Sequence, residues 1–214
     1  MRLESFACRR AQPLPGAADE ESVCAAEPFD MSREQAIGGG GVRVVFDKAA
    51  DRYAHRIELT DQAGLVVLES IEGAPGDAWP PSPPLKEIQI EREARGGWLA
   101  LLVGMAGRSH WSLSVALDPL AARLTFDAAC RLGQEPAWLG SRYRLLAQPA
   151  SSQWHRAWRF EPCETLGELS EVTLHEPGPL PSSRVLLEVR PSSATGAGPR
   201  TVRWKYSLAR LAVS

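Results

Sequence analysis

Arg108, Ser109 and His110 stand together after the run Gly104-Met105-Ala106-Gly107. A guanidinium and an imidazole side by side could hold an anion, because Arg presents a fork of donors and His changes charge near neutral pH. Ser109 and His110 are adjacent, so on a strand their side chains point to opposite faces. They cannot form a nucleophile–base pair by themselves. The plain reading of this stretch is a wide hairpin turn with an exposed histidine. The functional reading is a ligand-contacting loop, with Arg108 as an anion anchor and His110 as acid, base or hydrogen-bond donor. His55 lies on the apolar side of the series Tyr53, His55, Ile57, Leu59. A buried histidine with a satisfied ring is the ordinary outcome there. Together with Tyr53 it could also complete a ligand pocket around Arg108 and His110. The four histidines show no HxH or Hx3H spacing, so no metal site is expected.

A second candidate is Trp154-His155-Arg156-Ala157-Trp158-Arg159. On one strand Trp154, Arg156 and Trp158 share a face, as stacking platforms for single-stranded nucleic acid do. The plain alternative is an edge strand with buried tryptophans and a solvated arginine rim. That alternative is preferred, because the chain carries a formal net charge of -2 and lacks a basic footprint. Phosphate-loop, dinucleotide, zinc-protease and nucleophile-elbow motifs are missing, and no pair of carboxylates stands out. Catalytic residues are therefore not assigned, and no cofactor is expected.

The frame for these residues is a two-residue rhythm. Trp111, Leu113, Val115 and Leu117 alternate with Ser112, Ser114, Ala116 and Asp118; Leu124, Phe126, Ala128 and Cys130 alternate with Thr125, Asp127, Ala129 and Arg131. Such alternation predicts antiparallel strands with one buried face. Trp98 to Met105 is apolar at nearly every position, which suits a strand covered on both faces. Similar runs occur at 42–47, 53–60, 65–71, 85–91, 142–146, 168–175, 185–190 and 202–208, with Ser151 to Phe160 read as a strand rather than a helix. Gly73 to Pro84 breaks the pattern, and its prolines suggest an extended run over the surface with Trp79 beneath. The expected fold is all-β, an antiparallel sandwich or barrel of about ten strands. Gly96-Gly97-Trp98 resembles the Gly-x-Trp mark of lipocalins, but in mid-chain and without the other marks, so no function is carried over.

Residues 1–40 read as a disordered or flexible tail, with a short helix at Ser32 to Ile37 as an option and Gly38 to Gly41 as a flexible joint. A start at Met31 would retain every globular element. The single β-domain then spans 41–214. No secretory leader or membrane-spanning run is apparent, and the four cysteines form no CxxC pair. Free thiols in the cytoplasm are expected, with a Cys130–Cys163 disulfide as the alternative. The expected role is a non-catalytic module for a small molecule or a protein. Alternatives are an enzyme with its site at one end of the fold around Arg108 and His110, and single-stranded nucleic-acid binding through 154–159. Oligomeric state is not written in local pattern.

Overall fold

The computed structural model describes residues 34–61, 64–94, 96–147, 157–165, 168–175, 186–192 and 200–211. Every element among them is a strand: β1 Glu34–Gly39, β2 Val42–Ala49, β3 Arg52–Asp61, β4 Gly64–Ser70, β5 Glu87–Arg92, β6 Trp98–Ala106, β7 Ser109–Asp118, β8 Arg123–Arg131, β9 Ser141–Ala147, β10 Trp158–Thr165, β11 Glu168–His175, β12 Leu186–Pro191 and β13 Thr201–Arg210. All pair antiparallel, in two sheets. One has the order β1-β2-β3-β4-β9-β12-β11, the other β10-β13-β8-β7-β6-β5. They join at one corner, where β10 and β11 share two residue pairs. The fold is an antiparallel β-sandwich, with β1 and β5 as the outermost strands among the described residues.

The predicted rhythm faces the core. Leu113 and Val115 of β7, Phe126 and Ala128 of β8, and Trp204 and Tyr206 of β13 are buried from one sheet. Val44 and Phe46 of β2, Ile57 and Leu59 of β3, and Leu68 of β4 meet them from the other. Each buried valine, leucine, isoleucine or phenylalanine side chain contributes roughly 1.5–3 kcal/mol of transfer free energy. Large rings interlock at the centre, with Phe126 stacked on Tyr206 at 4.9 Å and Trp111 edge-on to Trp204 at 6.0 Å.

Three expectations need correction. The domain does not begin at 41: β1 pairs along its whole length with β2, and Ile37 is buried. Glu34 to Ile37 is therefore strand rather than tail or helix, because a neighbouring edge was available to pair with. The glycine run is no joint. Gly40 and Gly41 are the two central residues of a tight hairpin, with φ of 64° and 82°, the double left-handed conformation that favours glycine. The proline-rich segment does not lie over the surface either. Pro80, Ser82, Pro83 and Pro84 are buried, and Ser82 Oγ donates to Arg142 O and accepts from Arg142 N, both at 3.1 Å. The segment is a strap pressed across β6 and β9. The tail and the alternative start at Met31 lie outside the described residues, as does most of the 151–160 strand.

Candidate binding groove

The expected site residues do not converge. His55 points inward from β3 and is 2% exposed. Its Nε2 lies 2.8 Å from Tyr143 Oη, which in turn hydrogen-bonds Tyr206 Oη. Its Nδ1 has no partner among the described residues. Burial lowers its pKa to about 4, so it is a neutral core histidine at physiological pH. Tyr53 packs half-buried against the same core, with Lys48 Nζ 5.6 Å from its ring centre. Both belong to the seven-stranded sheet. Arg108 and His110 belong to the other.

The turn holding Arg108 is tighter than expected. Met105 opposes His110 and Ala106 opposes Ser109, which leaves Gly107 and Arg108 as a two-residue hairpin. Gly104 is not part of it. Gly104 sits inside β6, and a Cβ there would stand 1.9 Å from Pro84 O. The glycine exists to let the strap approach the strand. Arg108 is exposed at the hairpin tip. Ser109 points inward, is buried, and accepts a hydrogen bond from Gly133 N at 3.2 Å. His110 points outward, so the two adjacent side chains diverge as the strand pleat requires.

Trp158 is buried, with the Arg210 guanidinium 6.0 Å from its ring centre, so it offers no face for a base. Trp154 and Arg156 lie outside the described residues. Cys130 is a buried free thiol and Cys163 a half-buried one. Burial raises the Cys130 pKa to about 12, which makes that thiol inert. Among the described residues no three His, Cys, Asp or Glu cluster to hold a metal ion, and no helix is long and apolar enough to cross a membrane.

The feature that sequence reasoning missed is on the outer face of the six-stranded sheet. Two adjoining depressions of about 610 and 490 Å3 share Val103, Ser112, Ala129 and Thr201. The ladders explain them. One row across the strands runs Glu87, Val103, Ser112, Ala129, Arg203. The next runs Met105, His110, Arg131, Thr201. On the other side comes Gln89, Leu101, Ser114, Asp127, Lys205. Small side chains on β7 and β8 thus form a floor between an apolar column on β6 and longer side chains on β8 and β13.

That column is exposed: Leu101 by 40%, Val103 by 49% and Met105 by 45%. The expectation that β6 is covered on both faces is therefore wrong. Its inner side chains, Ala100 and Leu102, are buried, while the outer ones meet no layer among the described residues. The signal was present as an unbroken apolar run; what it marked was a bare strip rather than a second core. His110 is the one expected site residue that lines the groove. Its cross-strand neighbour Arg131 was not anticipated, because a lone Arg at the end of an alternating strand looks like a solvated rim. Neither the His110 nor the Arg131 side chain makes a hydrogen bond or ion pair among the described residues, whereas Arg203 Nη2 donates to Asp127 Oδ2 at 2.7 Å. No protein-family model matches this chain, and no curated protein is similar to it in sequence.

Proposed function

We propose that this chain is a non-catalytic cytoplasmic binding module and that the groove on the six-stranded sheet is where its ligand sits. One observation carries the reading: three large apolar side chains in a row stand exposed beside a small-residue floor. Exposed apolar surface gathered into a depression is where binding free energy is available, since covering it removes it from water. Depressions of this size fall in the range that small-molecule sites occupy. A catalytic centre on Arg108 and His110 has less support, since His55 and Tyr53 belong to the opposite sheet.

The test is a thermal-shift screen of apolar small molecules on the wild-type chain and on Val103→Glu. A ligand in the groove raises the wild-type melting temperature through its preference for the native state. The variant should lose that rise while its ligand-free melting temperature stays within a few degrees, roughly what an exposed substitution costs. A rise that survives Val103→Glu unchanged would place binding elsewhere and end this reading.

A further inference from the structure

Resting on the groove as the binding site, we propose that its ligand is a free, single-chain amphiphile with an anionic head group. The head lies at Arg131 and His110, and the apolar chain runs along Met105, Val103 and Leu101. Three features of the groove select this class over others.

The first is the distribution of charge along the groove. At the Leu101 end the exposed guanidinium of Arg203 is already taken by Asp127. At the Met105 end Arg131 is unpaired among the described residues, and His110 is its direct cross-strand neighbour. Lys86 lines the same end, and so does Glu87, which tempers the positive charge on the β5 side and leaves the Arg131 side as the anion-favouring wall. An anion that reaches Arg131 and His110 meets side chains that no described acceptor occupies, so a charge-assisted hydrogen bond is open to it.

The second is the shape of the apolar part. Leu101, Val103 and Met105 occupy alternate positions of one strand, so they form a line roughly 13 Å long at about 3.3 Å per residue. The line ends beside the cationic row. One polar end and one linear apolar body match an acyl chain with a single head group.

The third is the backbone. β6, β7 and β8 are interior strands, each paired on both sides. Their amides and carbonyls are committed to the ladders, so this face offers side chains only. An extended peptide would find no partners for its own backbone polar groups here. An alkyl chain has none to satisfy. A bilayer surface fits poorly for a different reason: its head groups form a flat layer, while the small-residue floor is recessed between longer side chains.

The experiment follows backbone amide shifts of Val103, Ser112 and Ala129 during titration with dodecanoate, dodecanol and dodecyltrimethylammonium, each below its micelle concentration. Dodecanoate should bind most tightly and shift these amides. Arg131→Ala should weaken it about tenfold, the loss of one charge-assisted contact. Arg144→Ala, on the outer face of the other sheet, should leave it unchanged and so controls for net charge. Equal binding of all three probes at these residues overturns the anionic class while the groove remains the site. Shifts produced only by anionic lipid vesicles overturn the free amphiphile in favour of a membrane surface. No shift at these amides with any probe overturns this proposal and removes support from the groove itself.

Discussion

The two sheets share one core but treat their outer faces in opposite ways. On the seven-stranded sheet, charges lie next to their opposites. Arg43 bridges Glu34 at 2.9 Å and Glu58 at 3.0 Å, and Arg56 bridges Asp47 at 2.6 Å and Glu58 at 2.9 Å. Arg144 pairs with Glu69 and Arg142 with Glu188, each at 2.6 Å. Partial burial works against the ionised form of Glu58. Hydrogen bonds from Arg56 and Arg43 outweigh it and hold the carboxyl below its ordinary pKa. On the six-stranded sheet an apolar column stands beside serine and alanine, and the side chains of Arg131 and His110 form no ion pair among the described residues. A face whose polar groups satisfy one another offers a partner little. A face with bare apolar surface and unpaired donors has free energy left for binding.

The largest expected effect comes from the strap pressed on the inner side of β6, behind the groove. Gly104→Val brings a side chain into Pro84 O, which is backbone and cannot swing aside. Destabilisation should exceed about 3 kcal/mol, in the range of severe overpacking. Urea unfolding measures it. A loss below about 1 kcal/mol would show that the strap is not pressed on β6.

The next effect lies behind the ion-paired face, in the core side of the same sheet. Glu72 is half-buried with its Oε2 shielded from water, accepts a hydrogen bond from Ser70 Oγ, and has its pKa raised to about 7 by desolvation, which Ser70 and the Arg52 charge only partly offset and the Glu69 charge adds to. The folded state therefore holds a proton that the unfolded chain releases above about pH 4.5, and stability from this group is lost as pH rises toward 7. His55, lowered to about 4, has the opposite sign: its contribution is present above 6.5 and lost as pH falls toward 4. Between about pH 4.5 and 6.5 the two slopes cancel. Glu72→Gln should leave stability rising by about 3 kcal/mol from pH 4 to 6.5, and His55→Gln should leave it falling by about 3 kcal/mol from pH 4.5 to 7, the gap between folded and unfolded pKa expressed as free energy. Denaturant titrations across this range measure both. Parallel curves for the wild type and both variants would sink the assignment.

A smaller effect tests the outer faces directly. A double-mutant cycle on Glu69 and Arg144 should return about 0.2–1 kcal/mol of coupling at low salt, shrinking as salt is added. The same cycle on Val103 and Met105, truncated to serine, should move ligand-free stability by no more than about 0.5 kcal/mol. A large loss in the second cycle would mean that the apolar column supports the fold, and the contrast between the faces would disappear.

Much of the architecture could be read in advance because alternation is local. Trp111 to Leu117 and Leu124 to Cys130 face the core as their rhythm predicts, and Trp204 and Tyr206 do likewise. The site could not be read in the same way. His110 and Arg131 are neighbours only because β7 and β8 pair in one register, and Val103 meets Ser112 and Ala129 for the same reason. A shift by one residue would turn all of them to the other face. The glycine-containing run Gly104 to Gly107 ahead of Arg108 suggests a turn that includes Gly104, yet Gly104 lies within β6. Its reason is a carbonyl contributed by Pro84, remote in the chain.

The amino-acid order by itself determined that this chain makes antiparallel sheets with a tryptophan- and tyrosine-rich interior, since side-chain direction on a strand depends only on position along it. Which face of the apolar run Trp98 to Met105 is covered and which is left bare was decided only by tertiary structure. Burial depends on what lies above a strand, and that layer is supplied by residues far away in sequence, or, over Leu101, Val103 and Met105, by no described residue.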